Sequence, residues 1–362
     1  MSIKKSQIQT DALNIVLSYK RAGLGISMGV GKTLIGLRYI EHFRKDNENL
    51  KVLVVAPKLS IFNSWRADSE KFNISLDNVD FSTYLSLNKQ SLDYDVVILD
   101  ECHSLLDSHV GYLGLFQGRI LGLTGTPPRY TNSEKGRLVQ MFCPIKFTYI
   151  TDEAVEDDIL NDYRIIVHRL SLSHVNNILV KLKDKEFYTS ELKNYNYSCK
   201  RVYEASSPKQ KQIASIMRMR ALMDYKTKEI YAKQLLDDID DKCLIFANTQ
   251  AQAERLCPHA IHSNNPDSEE YLRMFNDDEI DKASCVLQLN EGVNIKNLRF
   301  AIILHAYGNE RKASQRIGRL LRLNPDDMAT VHILCYKNTV DEQWVAEALK
   351  DLDTRKIKYF DI

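Results

Sequence analysis

Short apolar runs alternate with helix-like stretches along the first 130 residues of the chain. Three runs rich in Val, Ile and Leu occupy residues 51–56, 95–99 and 119–123, and each ends at a polar or Pro residue. Strands that are buried on both faces of a parallel sheet have this composition. Apolar residues recur at helical spacing in residues 7–19 and 34–40. The alternation predicts an α/β fold with a doubly wound parallel sheet, whose ligand site lies at the carboxyl ends of the strands.

The second half of the chain shows the same alternation. Apolar runs at residues 243–247 and 285–289 predict strands, and residues 251–256 have helical spacing between them. Near the end, Trp344, Val345, Ala348, Leu349 and Leu352 predict a C-terminal helix packed on the second domain. The length of 362 residues suits two domains. We expect a boundary near residue 150, with domains at 1–150 and 151–362.

A basic segment, expected to be helical, occupies residues of about 178–230 within the second domain. Its Lys and Arg side chains far outnumber its acidic ones, and five tyrosines lie among them: Tyr188, Tyr195, Tyr197, Tyr203 and Tyr225. Cations with aromatic rings between them can neutralise phosphates and contact sugars or bases. A solvated helical arm over the second domain has the same composition. The sequence leaves both interpretations open.

Composition adds few constraints. Hydrophobic residues at 44% and charged residues at 27% are typical of a soluble globular protein. Apolar stretches stay well below the roughly 18 residues of a membrane span, and no signal-peptide pattern follows Met1, so we expect a cytoplasmic protein without membrane contact. The seven scattered cysteines, without a Cys-x-x-Cys pair, argue against a disulfide framework or a zinc ribbon. A net charge of +1 says little about partners.

A glycine-rich segment at residues 27–33 is the first candidate for chemistry. Gly29 and Gly31 let the backbone turn its N–H groups onto a phosphate chain at the start of a helix. Lys32 would reach the β- and γ-phosphates, and the Thr33 hydroxyl would hold Mg²⁺. A strict phosphate-loop pattern also has Gly at position 26, where this chain has Ile26. A glycine-rich turn before an ordinary helix is the alternative.

Two carboxylates follow the run at residues 95–99 directly. Asp100 would bind Mg²⁺, and Glu101 would polarise the attacking water. The alternative is a solvated strand end. Far along the chain, Gln315, Arg319 and Arg322 share one face of a predicted helix. A guanidinium pair of this kind can stabilise the charge of phosphoryl transfer, and its alternative is a solvated basic helix edge.

Taken in order, these segments resemble the motifs of superfamily 2 helicases of the DExH kind. The matching residues are Gln9, 29–33, 56–57 with Trp65, 100–103, 123–127, 243–249, 290–295 and 315–322. The resemblance implies two tandem RecA-like domains with an ATP cleft between them, and ATP and Mg²⁺ as ligands. Arg319 and Arg322 would reach across from the second domain. Gln9 and Gln315 would contact the nucleotide, and His103, Thr124, Thr126 and Gly292 would couple it to the nucleic acid.

The residues resemble two subfamilies, and the small phage helicases fit better than the larger Snf2-type proteins. Residues 53–58 with Trp65 are similar to Snf2-type duplex translocases, whereas residues 292–298 before 315–322 look more like small phage helicases of the UvsW kind. The resemblance implies an ATP-dependent DNA helicase or translocase that remodels forks or Holliday junctions. An RNA helicase or RNA-dependent ATPase would use the same motifs, and a non-catalytic nucleic-acid-binding module is the alternative of another class. Protein partners cannot be predicted.

Overall fold

The computed structural model describes residues 3–128, 130–182, 185–286, 295, 297–305, 327–350 and 352–362. These residues form two compact units, the first of which extends to Asp162 and the second of which starts at Tyr163. Each unit is built around its own sheet. The predicted α/β class is therefore confirmed.

The first unit contains six strands and six helices within its described residues. The strands are β1 (Arg21–Ile26), β2 (Val52–Ala56), β3 (Val79–Thr83), β4 (Val96–Asp100), β5 (Arg119–Thr124) and β6 (Ile145–Tyr149). The helices are α1 (Ile3–Leu17), α2 (Lys32–Arg44), α3 (Ile61–Phe72), α4 (Val110–Leu115), α5 (Glu134–Phe142) and α6 (Thr151–Glu156), with short 3₁₀ helices at Tyr84–Lys89, Cys102–Ser104 and Asp107–His109.

The strands of the first unit pair in the order β3-β2-β4-β5-β1-β6, and all five pairings are parallel. Every residue of β2 and β4 is buried, as their continuous apolar runs predict. Because β4, β5 and β1 are neighbours, the loops after them meet at one edge of the sheet. These loops begin at Ser27, Glu101 and Gly125, which brings the three predicted motifs of this unit together.

Strand β1 was not predicted from the sequence. Its residues include Gly23 and Gly25, which weaken the apolar pattern of a strand. A Cβ atom on Gly23 would lie 2.4 Å from the carbonyl oxygen of Cys143, and one on Gly25 would lie 3.1 Å from the Pro127 ring. The glycines therefore allow neighbouring backbone to approach the strand closely.

The second unit begins with the strand that leaves the first. Its strands are β7 (Asp162–Leu170), β8 (Ile178–Leu182), β9 (Lys185–Thr189), β10 (Cys243–Phe246), β11 (Ala260–Ile261), β12 (Lys282–Cys285), β13 (Phe300–Ile303), β14 (Met328–Tyr336) and β15 (Ile357–Asp361). Its helices are α7 (Glu191–Tyr203), α8 (Pro208–Asp224), α9 (Lys226–Asp237), α10 (Gln250–Leu256), α11 (Ser268–Asn276) and α12 (Val340–Leu349), with a 3₁₀ helix at Thr354–Lys356.

The larger sheet of the second unit has the order β11-β12-β10-β13-β14-β7-β15. Strands β11 to β14 pair in parallel, as do β7 and β15. Helix α12 confirms the predicted C-terminal helix except at Leu352, which lies beyond its last residue, and Trp344 packs against the buried core. Strand β12 overlaps the apolar run predicted at 285–289 only at Cys285, and residues 287–289 lie outside the described residues.

The segment at 178–230 is not wholly helical, so this part of the prediction is wrong. Strands β8 and β9 form a separate antiparallel hairpin in which Leu179 pairs with Tyr188 and Val180 with Phe187. Its residues are apolar, β-branched or aromatic at most positions, and such side chains favour strands. The helical part, α7 to α9, starts at Glu191.

The predicted boundary near residue 150 lies just before α6. Tyr149 at the end of β6 donates its hydroxyl proton to Asp157, 2.7 Å away, and Ser27 and Thr151 share a hydrogen bond of 2.8 Å. These bonds tie α6 to the first sheet, and the unit continues to Asp162. Within the described residues, no helix is long and apolar enough to span a membrane.

Candidate active site

The glycine-rich loop leaves β1 and enters α2 with two left-handed glycines. Gly29 has a φ of 88° and Gly31 a φ of 106°, values that L-residues with a side chain rarely adopt. Gly31 is the residue before α2, whose first residue is Lys32. The N–H groups of the first turn therefore lie at the positive end of the helix dipole, which is a suitable place for a phosphate.

The Lys32 ammonium lies over this loop. It donates a hydrogen bond of 3.2 Å to the carbonyl oxygen of Ile26, at the end of β1. A Cβ atom on Gly125 would lie 3.1 Å from the Lys32 nitrogen, so the first loop and the loop after β5 are in close contact. Within the part of the chain that the structure describes, this is the one hydrogen bond of the ammonium, which lies near both loops.

Helix α1 holds the loop from the other side. Gln9 is fully buried and donates from Nε2 to the carbonyl oxygen of Val30 over 2.7 Å. Lys5 donates to the carbonyl oxygen of Gly29 over 2.7 Å. The Oε1 atom of Gln9 is buried and has no hydrogen-bond partner among the described residues. Gln9 therefore contacts the glycine-rich loop directly, and among the described residues its Oε1 is available to accept from a further donor.

Asp100, at the end of β4, is fixed at three points. The indole Nε1 of Trp65 donates to Oδ2 over 2.9 Å, and the Glu101 N–H donates to Oδ1 over 2.9 Å. The Tyr84 hydroxyl donates to the backbone carbonyl of Asp100 over 3.0 Å. Burial, and next the charge of Glu101, raise the pKa of Asp100 to about 6, while the Trp65 N–H and Lys32 act to lower it. The carboxylate is thus well ordered but poorly neutralised.

These residues fit a bound Mg²⁺. Each oxygen of Asp100 accepts one hydrogen bond and keeps a second lone pair. A cation would also relieve the burial and repulsion that raise the pKa of this carboxyl. Within the described ranges, no group of three or more His, Cys, Asp or Glu side chains could hold a metal. Mg²⁺ suits such a site, because it binds through one or two protein ligands together with substrate phosphates.

The residues after Asp100 connect β4 to β5. Glu101 adopts a left-handed backbone with a φ of 51°, a conformation that concentrates at functional sites. Its carboxylate lies 3.3 Å from His103 Nδ1, and this nitrogen lies 2.8 Å from the Thr124 hydroxyl. The Thr124 oxygen also accepts the Thr126 N–H over 3.1 Å. A continuous polar path therefore runs from Glu101 to the loop after β5.

Three side chains that hold the site were missed as site residues. Trp65 and Tyr84 contact Asp100, and Lys5 contacts the phosphate loop. Trp65 was recognised only as a landmark after the strand at residues 52–56. Its contact with Asp100 spans 35 positions, and no local pattern indicates it. The structure brings Gln9, Lys32, Asp100, Glu101, His103 and Thr124 into one contiguous region of the first unit.

Four predicted site residues lie outside the described residues. They are Gly292, Gln315, Arg319 and Arg322. The expected roles of the two arginines in phosphoryl transfer, of Gln315 at the nucleotide and of Gly292 in coupling remain sequence predictions.

Two family profiles match the chain. The profile described as "Type III restriction enzyme, res subunit" matches residues 2–89, which include the phosphate loop. The profile described as "Helicase conserved C-terminal domain" matches residues 226–324, which include the predicted arginines. The two matched ranges therefore include predicted motifs from both halves of the chain.

Solved structures show the same fold. The ATP-dependent Type ISP restriction-modification enzyme LlaBIII bound to DNA aligns with 100% of this chain at a TM-score of 0.66 and 14% identity. The chain spans only 31% of that enzyme's length. The helicase domain of Hef from Pyrococcus furiosus aligns with 95% of this chain and 97% of its own, at a TM-score of 0.52 and 16% identity. The similarity to this helicase domain confirms two tandem RecA-like domains.

One relative aligns with most of this chain. The DNA 3'-5' translocase XPB2 of Sulfurisphaera tokodaii is 24% identical in an alignment of 375 residues. The alignment covers 94% of this chain and 83% of the relative. The two profiles, the relative and the fold agree that this chain is similar to helicases and DNA translocases, which are ATP-hydrolysing enzymes.

Proposed function

We propose that this chain uses ATP hydrolysis to move along DNA and that its preferred substrates are branched DNA structures. One observation carries the motor part of the proposal. The glycine-rich loop, the Asp100–Glu101 pair and the Thr124–Thr126 segment lie at the ends of three adjacent parallel strands. A hydrogen bond between His103, just after Glu101, and Thr124 links the last two segments, and the Thr124 hydroxyl also accepts the Thr126 N–H. An ATPase that transmits its nucleotide state needs such a connection.

Each residue of the site has a specific role in this proposal. The N–H groups at Gly31 and the start of α2 bind the phosphates, and Lys32 leaves the Ile26 carbonyl to neutralise the β- and γ-phosphates. Glu101 orients the attacking water and takes its proton. Gln9, whose Oε1 has no hydrogen-bond partner among the described residues, is suited to the amino group of adenine.

Asp100 and Thr33 would hold Mg²⁺, which would supply positive charge next to the phosphate oxygens. Thr33 lies in the first turn of α2, and Asp100 is the last residue of β4. The three hydrogen bonds around Asp100 orient the carboxylate before the substrate arrives. Pre-orientation of this kind lowers the reorganisation needed during hydrolysis.

The helices α7 and α8 give the proposed motor a surface for nucleic acid. Tyr195 near the start of α7 and Leu222 near the end of α8 lie in the buried core of the unit. Tyr203, near the turn between the two helices, is 91% exposed. Exposed cations surround this turn: Lys200, Arg201, Lys209 and Lys211, with Glu204 as the acidic neighbour. Cations beside an exposed aromatic ring favour a phosphate backbone with accessible bases.

The DNA part of the proposal is further supported by the XPB2 relative, which is named as a DNA translocase. The preference for branched DNA is supported by the sequence resemblance to small phage helicases at residues 292–298. Both parts predict that DNA accelerates ATP turnover.

Steady-state ATP turnover with different nucleic acids tests the function. We expect strong stimulation by duplex or four-way-junction DNA and little by RNA, and no turnover for Lys32→Ala. Stronger stimulation by RNA would overturn the DNA assignment, and equal stimulation by plain and branched duplex would overturn the branched-DNA preference. Absence of turnover with every nucleic acid would favour a non-catalytic binding module.

A salt titration tests the surface at α7 and α8. The double variant Lys209→Glu with Lys211→Glu should weaken DNA binding and lower the slope of log affinity against log salt by about 2. Lys233→Glu on α9 changes another exposed cation away from this turn and should leave the slope near the wild-type value. Equal effects of the two changes would show that the surface has no specific role.

A further inference from the structure

Trp65 lies between the phosphate-loop helix and the carboxylate at the end of β4. Its side chain is completely buried on α3. On one side its Nε1 donates to Asp100 Oδ2 over 2.9 Å. On the other side its ring packs so closely on α2 that a Cβ atom on Gly36 would lie 2.5 Å from the ring. One rigid side chain thus connects both parts of the phosphate site.

The hydrogen bond restricts Asp100 in a way that apolar packing cannot. A carboxylate at a strand end can rotate about two side-chain torsions, and the Glu101 N–H holds only Oδ1. The Trp65 N–H holds Oδ2, so the two donors together fix the plane of the carboxylate. The remaining lone pairs then point in a fixed direction, which is what a metal ligand requires.

The contact between the Trp65 ring and α2 depends on the absence of a Cβ atom at Gly36. The indole can approach α2 only because residue 36 has no side chain, and the Leu123 side chain also lies within 3.3 Å of that Cβ position. A change in the position of α2, whose first turn holds Lys32 and Thr33, is therefore transmitted to the indole and to Asp100 by direct contact. Packed interiors transmit such shifts because they contain few voids.

We propose that Trp65 is a positioning residue for ATP hydrolysis, which aligns the Asp100 carboxylate with the phosphate-loop helix through its N–H and its ring. The inference rests on the proposed role of Asp100 as the metal-binding carboxylate. A purely structural role would require only the buried ring. If the role is positioning, removal of the indole N–H should impair ATP turnover in a protein that stays folded. If the role is purely structural, turnover of the folded protein should not change.

The first experiment compares Trp65→Phe with two controls at a temperature where all variants are folded. Phe keeps an apolar ring but removes the donor. We expect kcat to fall about 10- to 100-fold, the usual loss for a residue that orients a metal ligand, and the Mg²⁺ concentration for half-maximal turnover to rise about as much. The KM for ATP at saturating Mg²⁺ should change less than about threefold, because the phosphate loop is intact.

The controls separate packing from positioning. Trp344→Phe changes the other tryptophan of the chain, on α12 of the second unit, and should keep wild-type turnover. Tyr84→Phe removes the donor to the backbone carbonyl of Asp100 and leaves both bonds to the carboxylate. It should raise the Mg²⁺ requirement less than Trp65→Phe does. A folded Trp65→Phe variant with kcat and Mg²⁺ requirement within about twofold of wild type would overturn the proposal.

A second measurement uses the folded protein without turnover. In Trp344→Phe, Trp65 is the sole tryptophan and its emission reports the environment of Asp100. Titration with Mg²⁺ in the presence of a non-hydrolysable ATP analogue should change this emission, with a midpoint near the Mg²⁺ requirement for turnover. An emission that stays constant while the analogue binds would count against the contact.

Asp100→Asn distinguishes failure of the inference from failure of the proposed site. If Asp100→Asn abolishes turnover and Trp65→Phe does not alter it, the site stands and the positioning role is lost. If Asp100→Asn itself keeps wild-type turnover, the assigned metal ligand is wrong, and the role of Trp65 fails with it.

Discussion

The Nδ1 atom of His103 lies 2.8 Å from the hydroxyl oxygen of Thr124, and both side chains are buried. This contact joins the loop after β4, which contains Glu101, to the loop after β5. The same hydroxyl oxygen accepts the N–H of Thr126. The Thr126 hydroxyl, in contrast, has no hydrogen-bond partner among the described residues. Thr124, at the end of β5, is therefore the threonine that links His103 to the loop after β5.

The two threonines provide a matched pair of variants. Thr124→Val leaves the Thr126 N–H and His103 without their shared partner, and loss of a buried hydrogen bond costs about 1–2 kcal/mol. We expect DNA-stimulated ATP turnover to fall roughly 5- to 30-fold, which corresponds to that free energy. Thr126→Val should change stimulation less than about twofold. Equal losses in both variants would contradict the path through Thr124.

Gly122 in β5 offers a test of packing behind the site. A Cβ atom there would lie 2.6 Å from Cys143 Sγ and 3.1 Å from Cys102 Sγ. Gly122→Ala should lower the stability of the first unit by about 1–3 kcal/mol, as overpacking does. Gly114→Ala, on α4 with open space around its Cβ position, should be neutral or slightly stabilising. Thermal unfolding of both variants measures the difference, and a Gly122→Ala variant as stable as wild type would refute the tight packing.

The strands of the first unit could be predicted where burial leaves a local pattern. The predicted runs at 51–56 and 95–99 became β2 and β4, whose residues are all buried. Strand β1 was not predictable in this way, because its glycines make room for the Cys143 backbone and the Pro127 ring, which lie more than 100 positions away along the chain. A pattern read along the chain contains no information about such a neighbour.

The candidate site shows the same division. Lys32, Asp100 and Glu101 could be predicted because phosphate and metal chemistry requires those residue types next to strand ends. The orientation of Asp100 by Trp65 could not, since the two residues meet only when α3 packs beside β4. The β8–β9 hairpin was hidden for another reason, namely that its basic residues suggested a solvated helix.

Arg319 provides a test of the motif beyond the described residues. If it neutralises charge that develops during phosphoryl transfer, Arg319→Ala should slow ATP turnover by about 10³-fold or more. ATP affinity, measured by equilibrium binding, should change only a few-fold, because ground-state contacts to the phosphate loop remain. Arg355→Ala removes an exposed arginine near the C-terminus and is the control. A large loss of ATP affinity with unchanged turnover would contradict the assigned role.

A histidine pair in the second unit predicts how stability depends on pH. The Tyr231 hydroxyl lies 2.9 Å from His168 Nδ1, and His168 Nε2 lies 2.9 Å from His332 Nδ1. The chain of bonds is complete when Tyr231 donates to His168 and His168 donates to His332, with both rings neutral. Burial, and then His168 and Arg164, lower the pKa of His332 to about 4. Protonation of His332 would require His168 to change tautomer and the bond to Tyr231 to reverse, and it would place a charge in a buried site.

Stability should therefore fall as the pH is lowered through this range. Above a pH of about 6.5, His332 is neutral in the folded and unfolded chain and contributes no pH dependence. Between about 6.5 and 4 the unfolded chain binds a proton that the folded chain does not, at a cost of up to about 3 kcal/mol. Thermal midpoints at pH 7.5, 6 and 5 should fall less steeply in His332→Gln, whose amide oxygen can still accept from His168. The exposed His174→Gln variant should follow wild type. If His332→Gln lost stability as steeply as wild type, another group would be responsible.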